Sequence, residues 1–223
     1  MKYFLFDADM TFLDFKTTEA ISLKEIFENT FGLEFNEKTL KDYEIGNSWC
    51  WDKFEKAEIT LENLEVLRWK LFIDRVGIDA DPEKACRIYN NLLASNGLLL
   101  PGAKEFLENT RDLPKSLVTN GIAFIQHARL EATDTKKYFE HLFISQEMGT
   151  SKPQKSYFDL VLKTLGKKAE ECVVIGDSEK SDIQGAVNAG IDSIYLNFQG
   201  KKSKKATWSV SSYKELETLL RTL

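Results

Sequence analysis

The stretch YFLFDADMT, residues 3–11, decides the fold of this chain. Its first four residues are bulky and apolar, and two aspartates, Asp7 and Asp9, follow them at positions i and i+2. A short apolar run of this kind is typical of a strand that is covered on both faces. Ligand sites of open α/β sheets lie beyond the carboxyl ends of such strands, which is where these carboxylates fall. Taken alone, the pair fits a solvated turn about as well as it fits a reactive site.

Short apolar runs alternate with segments of helical periodicity along most of the chain. Strands are predicted at residues 3–6, 116–118, 142–144, 173–175 and 193–196, and helices at 122–132, 156–165, 183–189 and 213–220. This alternation predicts an α/β fold, in which a doubly wound parallel sheet is covered by helices.

Residues 15–96 interrupt the alternation, because they show little strand signal and much helical signal. Thr60 is a predicted N-cap for a helix whose leucines recur at helical spacing, and Asp81-Pro82 supplies a cap and a first-turn proline for another. A block of this size is far too long for a crossover, whose usual minimum is about 10–12 residues. We therefore predict a helical domain at 15–96, inserted into a core formed by residues 1–14 and 97–223.

Two further motifs offer groups that suit a phosphate. Thr119-Asn120-Gly121 ends a predicted strand with a hydroxyl and an amide that can donate hydrogen bonds to phosphate oxygens, although these residues also suit an ordinary helix N-cap. Lys152, before Pro153, is a point charge that can neutralise a phosphoryl group, although such lysines are also common on surfaces. Neither motif identifies a site by itself.

A fourth motif brings more carboxylates to a strand end. The predicted strand at 173–175 runs into Gly176-Asp177, and Asp182 follows at the start of the next helix. Asp182 suits an N-cap, but that interpretation leaves Asp177 unexplained. Carboxylates at neighbouring strand ends repel one another unless a cation lies between them. Hard oxygen ligands favour Mg²⁺, which uses few carboxylates and keeps water or substrate phosphate as its other ligands.

In order, Asp-x-Asp-x-Thr, Thr-Asn-Gly, Lys-Pro and Gly-Asp-(x)4-Asp resemble the four motifs of the haloacid dehalogenase-like hydrolases. The resemblance covers the whole chain, because that superfamily carries a Rossmann-like core with a helical C1 cap inserted after the first motif. It implies a phosphomonoester hydrolase that depends on Mg²⁺ and acts through an aspartyl-phosphate intermediate. One departure is Met10, which stands where glycine is common, and we expect it to change how the adjacent loop meets the cap.

The resemblance implies a role for each motif residue. Asp7 is the expected nucleophile, since a carboxylate oxygen can attack phosphorus to give an acyl-phosphate. Asp9 is the expected general acid and base, which protonates the leaving oxygen and later takes a proton from water. The phosphoryl group is expected to be held by Thr119, Asn120 and Lys152.

The same resemblance implies a set of metal ligands. Mg²⁺ is expected at the side chain of Asp7, the backbone carbonyl of Asp9 and the side chain of Asp177. Asp182 is expected to be a further ligand or a partner that supports the ligands.

Residues 47–68 look like the corresponding region of bacterial pyrimidine 5′-nucleotidases, which implies a nucleoside 5′-monophosphate or another small phosphorylated metabolite as substrate. Trp49 and Trp51 can stack on a base, and Arg68 can pair with its polar edge. The same aromatic residues suit the core of the helical domain equally well. Both interpretations stay open on the sequence.

Three other functions compete with a phosphatase. A sugar-phosphate mutase shares every core residue and differs mainly in its cap. A 2-haloacid dehalogenase also uses an aspartate nucleophile, but its halide leaves without a proton, so Asp9 argues against it. A non-catalytic binding protein predicts the loss of Asp7, Asp9, Lys152 or Asp177, and all four are present.

Charge and composition limit the partners and the compartment. The net charge of -5 gives no global field that attracts nucleic acid or anionic lipid, and the basic run at 201–205 fits a solvated loop. No segment approaches the roughly 18 apolar residues that span a bilayer. The sparse cysteines Cys50, Cys86 and Cys172 fit reduced thiols. We expect a cytoplasmic monomer or homodimer that binds neither nucleic acid nor membrane.

Overall fold

A computed structural model describes residues 1–223, and a parallel sheet forms its centre. The strands are β1 (Tyr3–Phe6), β2 (Lys115–Thr119), β3 (Leu142–Ile144), β4 (Cys172–Gly176), β5 (Asp192–Leu196) and β6 (Trp208–Val210). They lie in the order β3-β2-β1-β4-β5-β6, and every neighbouring pair is parallel. The predicted α/β fold is confirmed, and β6 is an edge strand that the sequence pattern did not predict.

Helices account for most of the remaining chain. They are α1 (Phe15–Ile26), α2 (Glu37–Glu55), α3 (Leu61–Val76), α4 (Pro82–Ser95), α5 (Ala103–Asn109), α6 (Ala123–Ala132), α7 (Ser145–Met148), α8 (Lys155–Leu165), α9 (Gln184–Ala189) and α10 (Tyr213–Leu220). A wider helical turn, Glu179–Ile183, leads into α9. None of the helices combines the length and apolar character needed to cross a lipid bilayer.

The chain divides into two compact units. Met1–Phe15 and Gly97–Leu223 form the first, which we call the sheet unit, and Lys16–Asn96 form the second, which we call the helical unit. The sheet unit contains all of the strands, whereas the helical unit contains none. The roles of these units as catalytic core and cap stay predictions.

The centre of the sheet unit holds β1 between apolar layers. Phe4 and Phe6 belong to the core cluster on one face of the sheet, and Tyr3 and Leu5 belong to the cluster on the other face. All four side chains are buried, as a strand covered on both faces requires. Burial of each such side chain contributes about 1.5–3 kcal/mol. The end of β1 is therefore a fixed platform for the residues that follow it.

The helical unit is organised around aromatic side chains. Phe27 stacks on Phe72 with ring centroids 4.8 Å apart, and Trp69 lies 5.1 Å from both Tyr43 and Tyr89. All five side chains are buried. Offset and edge-on arrangements of this kind add about 0.5–1.5 kcal/mol per pair beyond the area they bury. The unit therefore has a core of its own.

The predicted helix caps are present in the helical unit. The Thr60 side chain accepts a hydrogen bond from the backbone N–H of Asn63 at the start of α3. The Asp81 side chain accepts from the backbone N–H groups of Glu83 and Lys84, with Pro82 in the first turn of α4. Each cap satisfies amide groups that the helix itself leaves unpaired and contributes about 1 kcal/mol.

Lys115 provides a test of how the sheet unit responds to pH. Its side chain is 1% exposed and donates to the backbone carbonyls of Thr110 and Leu113. Burial lowers the pKa of Lys115 from its ordinary 10.5 to about 8, although Asp112 and Glu140 act in the opposite direction. Between these values the unfolded chain binds more protons at Lys115 than the folded chain, so the stability contributed by this position rises with pH.

We expect wild-type protein to gain about 2 kcal/mol of unfolding free energy relative to Lys115→Met between pH 7 and pH 10. Urea unfolding of both proteins across that pH range measures the difference. Lys163→Met, at an exposed position of α8, serves as the matched control and should show no such trend. A constant gap between wild type and Lys115→Met would contradict the lowered pKa.

Candidate active site

The ends of three adjacent strands bring the predicted site residues together. Asp7 follows β1, Thr119 ends β2, and Asp177 follows β4. Strands β2 and β4 are the two neighbours of β1, so residues that are distant in sequence meet at the carboxyl ends of these parallel strands. The backbone N–H of Asp7 donates to the carbonyl of Ile175 at 2.8 Å, which extends the β1–β4 pairing to the aspartate itself.

Lys152 lies at the centre of the site. Its Nζ donates to Asp7 Oδ1 and to Asp182 Oδ1, each at 2.6 Å, and to the backbone carbonyl of Val118 at 2.9 Å. The side chain is 1% exposed, so this ammonium group has exchanged water for protein acceptors. Burial disfavours its charged form, but the carboxylates of Asp182 and Asp7 outweigh that effect and raise the pKa of Lys152. The residue is therefore a fixed positive charge beside the predicted nucleophile.

The Gly176-Asp177 motif is explained by the position of Asp182. A Cβ at residue 176 would lie 2.1 Å from Asp182 Oδ2, so only glycine leaves room for this carboxylate. Asp182 Oδ2 accepts from the backbone N–H of Ser178 at 3.0 Å, while Oδ1 accepts from Lys152. Both oxygens of Asp182 already have partners, which suits a residue that supports the metal ligands.

Three carboxylates surround the single ammonium group of Lys152. Oxygen atoms of Asp7, Asp177 and Asp182 lie within 4.8 Å of one another. Burial raises the pKa of Asp7 well above its usual range, and the negative charges of Asp182 and Asp177 add to the effect, whereas Lys152 opposes it. Burial, followed by the charge of Asp182, raises the pKa of Asp177 to about 7. The site therefore holds more negative charge than its own cation balances.

The donor set fits a hard divalent cation. The carboxylates of Asp7 and Asp177 are oxygen ligands of the type that Mg²⁺ prefers. A cation beside them would offset the mutual repulsion that raises their pKa values. The charge of Lys152 offsets only part of this repulsion at Asp177, because its Nζ hydrogen bonds go to Asp7, Asp182 and the backbone. The geometry supports a metal position formed by Asp7 and Asp177.

The phosphate-binding residues differ in what their side chains contact. Thr119 Oγ1 accepts from the backbone N–H of Gly121 at 3.2 Å, and its own proton remains available to a ligand. Asn120 instead bonds the backbone of Lys152 on both sides: Nδ2 donates to its carbonyl at 2.7 Å and Oδ1 accepts from its N–H at 2.8 Å. Asn120 thus fixes the loop that carries the lysine, and the second N–H of its amide is not needed for this contact.

Two residues at the site were not among the sequence-based predictions. Arg129 Nη1 donates to Asp9 Oδ1 at 2.5 Å, and Gln126 Nε2 donates to Asp9 Oδ2 at 2.8 Å. Both side chains project from α6 and both are 1% exposed. The signal that could have revealed them is the presence of two polar residues, three positions apart, among the buried Ile125 and Leu130 of the same helix.

Met10 adopts a conformation that explains why glycine is common in this motif. Its φ is +59°, in the left-handed region, which costs a residue with a side chain about 1 kcal/mol. Its N–H donates to the carbonyl of Leu13 at 2.9 Å, which closes a tight loop. Within that loop Thr11 donates to Asp7 Oδ2 at 3.4 Å. The loop therefore places both Asp9 and Thr11 around the end of β1.

The predicted substrate-contact residues of the helical unit lie in different environments. The Trp49 side chain is 46% exposed, with Lys53 Nζ 5.6 Å from its ring centroid. Trp51 is half-buried, edge-on to Phe54. Arg68 is only 2% exposed. It donates to Asn90 Oδ1 at 3.2 Å and lies 4.8 Å from the ring of Tyr89. Trp49 is therefore accessible to a ligand, whereas the contacts of Arg68 lie within the core of its own unit.

A parallel sheet that presents an aspartate pair, a buried lysine and two further aspartates at neighbouring strand ends is typical of one class of hydrolases with a Rossmann-like core. The chain belongs to the haloacid dehalogenase-like hydrolases, whose family model matches residues 4–196. The chain is 33% identical to the pyrimidine 5′-nucleotidase YjjG of Escherichia coli (strain K12), over 98% of this chain and 97% of the relative. It is 32% identical to the pyrimidine 5′-nucleotidase PynA of Streptococcus pneumoniae, over 96% and 93% respectively. The predicted resemblances to haloacid dehalogenase-like hydrolases and to bacterial pyrimidine 5′-nucleotidases are both confirmed.

Solved structures show the same fold over the whole chain. The HAD-hydrolase YfnB from Bacillus subtilis, bound to magnesium, superposes with a TM-score of 0.92 at 29% identity, covering 99% of this chain and 98% of that one. The L-2-haloacid dehalogenase from Xanthobacter autotrophicus has a TM-score of 0.76 at 14% identity, covering 100% and 99%. The second likeness concerns the fold alone.

Proposed function

We propose that this protein is a Mg²⁺-dependent phosphatase that hydrolyses small phosphate monoesters through a phosphorylated Asp7. The observation that carries the proposal is the contact of Lys152 Nζ with Asp7 Oδ1 at 2.6 Å. It lies at the carboxyl ends of the central strands, where Asp177 and Asp182 also lie. This arrangement supplies a nucleophile, a fixed positive charge and metal ligands in one place. Relatives with phosphatase and nucleotidase activity support the same class of reaction.

In the first step, a carboxylate oxygen of Asp7 attacks the phosphorus atom and the bond to the ester oxygen breaks. Asp9 gives its proton to the departing oxygen, so the alcohol leaves as a neutral molecule. The ammonium group of Lys152 and the hydroxyl of Thr119 stabilise the negative charge on the phosphoryl oxygens. Asn120 contributes indirectly by fixing the backbone of Lys152, and its remaining amide N–H can add one donor.

In the second step, water attacks the phosphorus atom of the aspartyl-phosphate. Asp9, now ionised, takes the proton of that water, and the bond between phosphorus and Asp7 breaks to release inorganic phosphate. The site then returns to its starting state.

Mg²⁺, held by the side chains of Asp7 and Asp177 and by the backbone carbonyl of Asp9, would neutralise charge on the phosphoryl oxygens and align them for attack. Asp182 would support the metal ligands by orienting Lys152 and the Gly176–Ser178 turn. Its Oδ1 accepts from Lys152 and its Oδ2 accepts from the backbone N–H of Ser178.

Phosphate release from a panel of phosphorylated metabolites tests the proposed reaction. We expect Mg²⁺ to support turnover and excess EDTA to reduce it by at least about 100-fold, because the charge imbalance of the site is no longer offset. Re-addition of Mg²⁺ should restore activity. Activity that is unchanged by EDTA would exclude the metal-dependent mechanism. Conversion of a sugar phosphate into an isomer without phosphate release would instead indicate a mutase.

We further propose a pyrimidine nucleoside 5′-monophosphate as substrate, with Trp49 and Trp51 stacking on the base. The relatives YjjG and PynA support the substrate, and the exposed ring of Trp49 supports the contact. Arg68 would act by holding α3 and α4 together through Asn90 rather than by touching the base.

Replacing Trp49 with alanine should therefore raise the KM for a pyrimidine 5′-monophosphate about 10-fold, which corresponds to the loss of one stacking contact. The rate with 4-nitrophenyl phosphate, measured under the same conditions, should not change by more than about 2-fold. Ile45→Ala is the matched control, since Ile45 lies on the same helix and is 44% exposed. Equal effects on both substrates would argue against a contact between Trp49 and the base.

A further inference from the structure

Asp9 is held on both of its carboxylate oxygens by side chains of one helix. Arg129 Nη1 contacts Oδ1 at 2.5 Å, and Gln126 Nε2 contacts Oδ2 at 2.8 Å. Arg129 Nη1 also lies 3.3 Å from Gln126 Oε1, so the two donors are bonded to each other. A carboxylate on a loop would ordinarily be free to rotate about χ2, but these bonds define its plane.

The two donors are themselves fixed. Gln126 Nε2 lies 2.9 Å from Thr119 Oγ1, which ties the amide to the end of β2. The guanidinium carbon of Arg129 lies 5.4 Å from the centroid of the Phe15 ring, at a distance typical of a cation–π contact. Gly97 packs against the same turn of α6, where a Cβ would lie 3.1 Å from the carbonyl of Arg129. Neither donor can be moved without disturbing several neighbours.

Burial of the Arg129 guanidinium group costs free energy, and its contact with Asp9 offers a reason why the chain keeps it. Arg129 is 1% exposed, and its Nε and Nη2 have no hydrogen-bond partner. A buried guanidinium group with unpaired donors loses several kcal/mol of hydration. An apolar side chain at position 129 would fill the same space beside Phe15 without that cost. Arg129 Nη1 donates to Asp9 and to Gln126, and Gln126 itself donates to Asp9. Every hydrogen bond of the guanidinium group therefore leads to the Asp9 carboxylate, directly or through Gln126.

We propose that Arg129 and Gln126 are positioning residues, which hold the Asp9 carboxylate in the orientation needed for both proton transfers. The inference rests on the proposed phosphatase function, because it assigns Asp9 the role of acid and base. Neither residue touches the substrate in this proposal. Thr119 links the positioning of Asp9 to phosphate binding: its Oγ1 accepts from Gln126, and in the proposed mechanism its hydroxyl donates to the phosphoryl group.

The two half-reactions depend on Asp9 to different extents, and that difference provides the test. When Asp7 attacks an aliphatic ester, the alkoxide leaves slowly unless Asp9 protonates it. When Asp7 attacks 4-nitrophenyl phosphate, the phenolate leaves without a proton. Hydrolysis of the aspartyl-phosphate needs Asp9 as the base in both cases. A poorly positioned Asp9 should thus slow the first step only for aliphatic esters and slow the second step for every substrate.

The variants are Arg129→Met, Arg129→Lys and Gln126→Ala, compared with wild-type protein in Mg²⁺. Rapid-quench measurements give the rate of enzyme phosphorylation by 4-nitrophenyl phosphate and by an aliphatic ester that the wild type hydrolyses. Mass spectrometry of the quenched protein gives the fraction that carries phosphate on Asp7. Glu131→Gln is the control, because Glu131 lies on the same helix with an exposed side chain.

For Arg129→Met we expect phosphorylation by the aliphatic ester to slow about 100-fold and phosphorylation by 4-nitrophenyl phosphate to change less than about 3-fold. With 4-nitrophenyl phosphate at steady state, phosphorylated enzyme should make up a larger fraction of the variant than of wild type. Arg129→Lys should recover part of the rate, since it keeps the charge and one donor. Gln126→Ala should have a smaller effect of the same kind.

A second measurement separates positioning from a general structural role. In the Asp9→Asn background, Arg129→Lys should cause no further loss of phosphorylation rate, because the group it positions is already absent. Equal losses on both substrates, or a full additional loss in the Asp9→Asn background, would overturn the proposal. These outcomes leave the wild-type phosphatase activity in place. A wild-type protein without that activity would overturn the proposed function, and this inference with it.

Discussion

Replacement of Asp7 with asparagine is expected to reduce phosphate release by at least about 10⁴-fold, the scale seen when a catalytic nucleophile is removed. The amide has nearly the shape of the carboxylate, but its oxygen is too weak a nucleophile to attack phosphorus. The fold should survive, because β1 is buried on both faces by apolar residues and Lys152 keeps Asp182 as a partner. The variant also removes one of the carboxylates that crowd the site, so no large loss of stability is expected.

Two readouts make this experiment decisive. Intact-protein mass spectrometry after a rapid quench should detect a phosphorylated species in wild type and none in Asp7→Asn. Asp159→Asn is the matched control: Asp159 is an exposed partner of Lys155 on α8, and its loss should leave both readouts unchanged. If Asp7→Asn kept the wild-type rate to within tenfold, the covalent mechanism would be wrong.

The strands next to the site were predictable because their signal is local. β1 and β4 are largely apolar strands buried on both faces, and an aspartate directly follows each of them. β2 is also buried, but only its Leu117 and Val118 are apolar, and it ends in Thr119. The sequence shows such a transition directly at Phe6-Asp7 and at Gly176-Asp177. The convergence of these ends also follows from general rules, since neighbouring parallel strands terminate at the same edge. The carboxylates and the lysine of the site could therefore be proposed from sequence.

Edge strand β6 shows the limit of that reasoning. Trp208–Val210 is three residues long, has a serine in the middle and follows a basic, serine-containing loop. It forms by pairing with β5, as when Tyr195 aligns with Ser209. The segment is too short to show strand periodicity, so its strand conformation depends on pairing with β5 and could not be predicted from its own residues.

The roles of individual polar side chains were harder to predict than their presence. Asn120 was expected at the phosphate, but its side chain bonds the backbone of Lys152, 32 positions along the chain. Arg68 was expected at the substrate, but its visible contacts lie with Asn90 and Tyr89. In both cases the residue type fits a ligand contact as well as a contact within the protein, the structure shows the second kind, and the ligand contact stays a prediction.

Replacement of Lys152 with methionine is the second change with a large expected effect, and it should alter activity and stability together. The ammonium group contacts both Asp7 and Asp182 at 2.6 Å, so its loss leaves two buried carboxylates without a counter-charge. Breaking a buried pair in this way costs about 3 kcal/mol, and phosphate release should fall about 10³-fold because the phosphoryl charge is no longer neutralised. Thermal and urea unfolding in EDTA measure the stability term, and phosphate release in Mg²⁺ measures the catalytic one.

Lys155→Met is the matched control for this substitution, since Lys155 lies three positions further on, is exposed and pairs with Asp159 on the surface. It should change stability by less than about 0.5 kcal/mol and leave activity intact. Added Mg²⁺ should narrow the stability gap between Lys152→Met and wild type, because a cation near Asp7 and Asp177 replaces part of the missing positive charge. A stability gap that is identical with and without Mg²⁺ would mean that the metal does not bind beside these carboxylates. A stable and fully active Lys152→Met would exclude Lys152 from the mechanism.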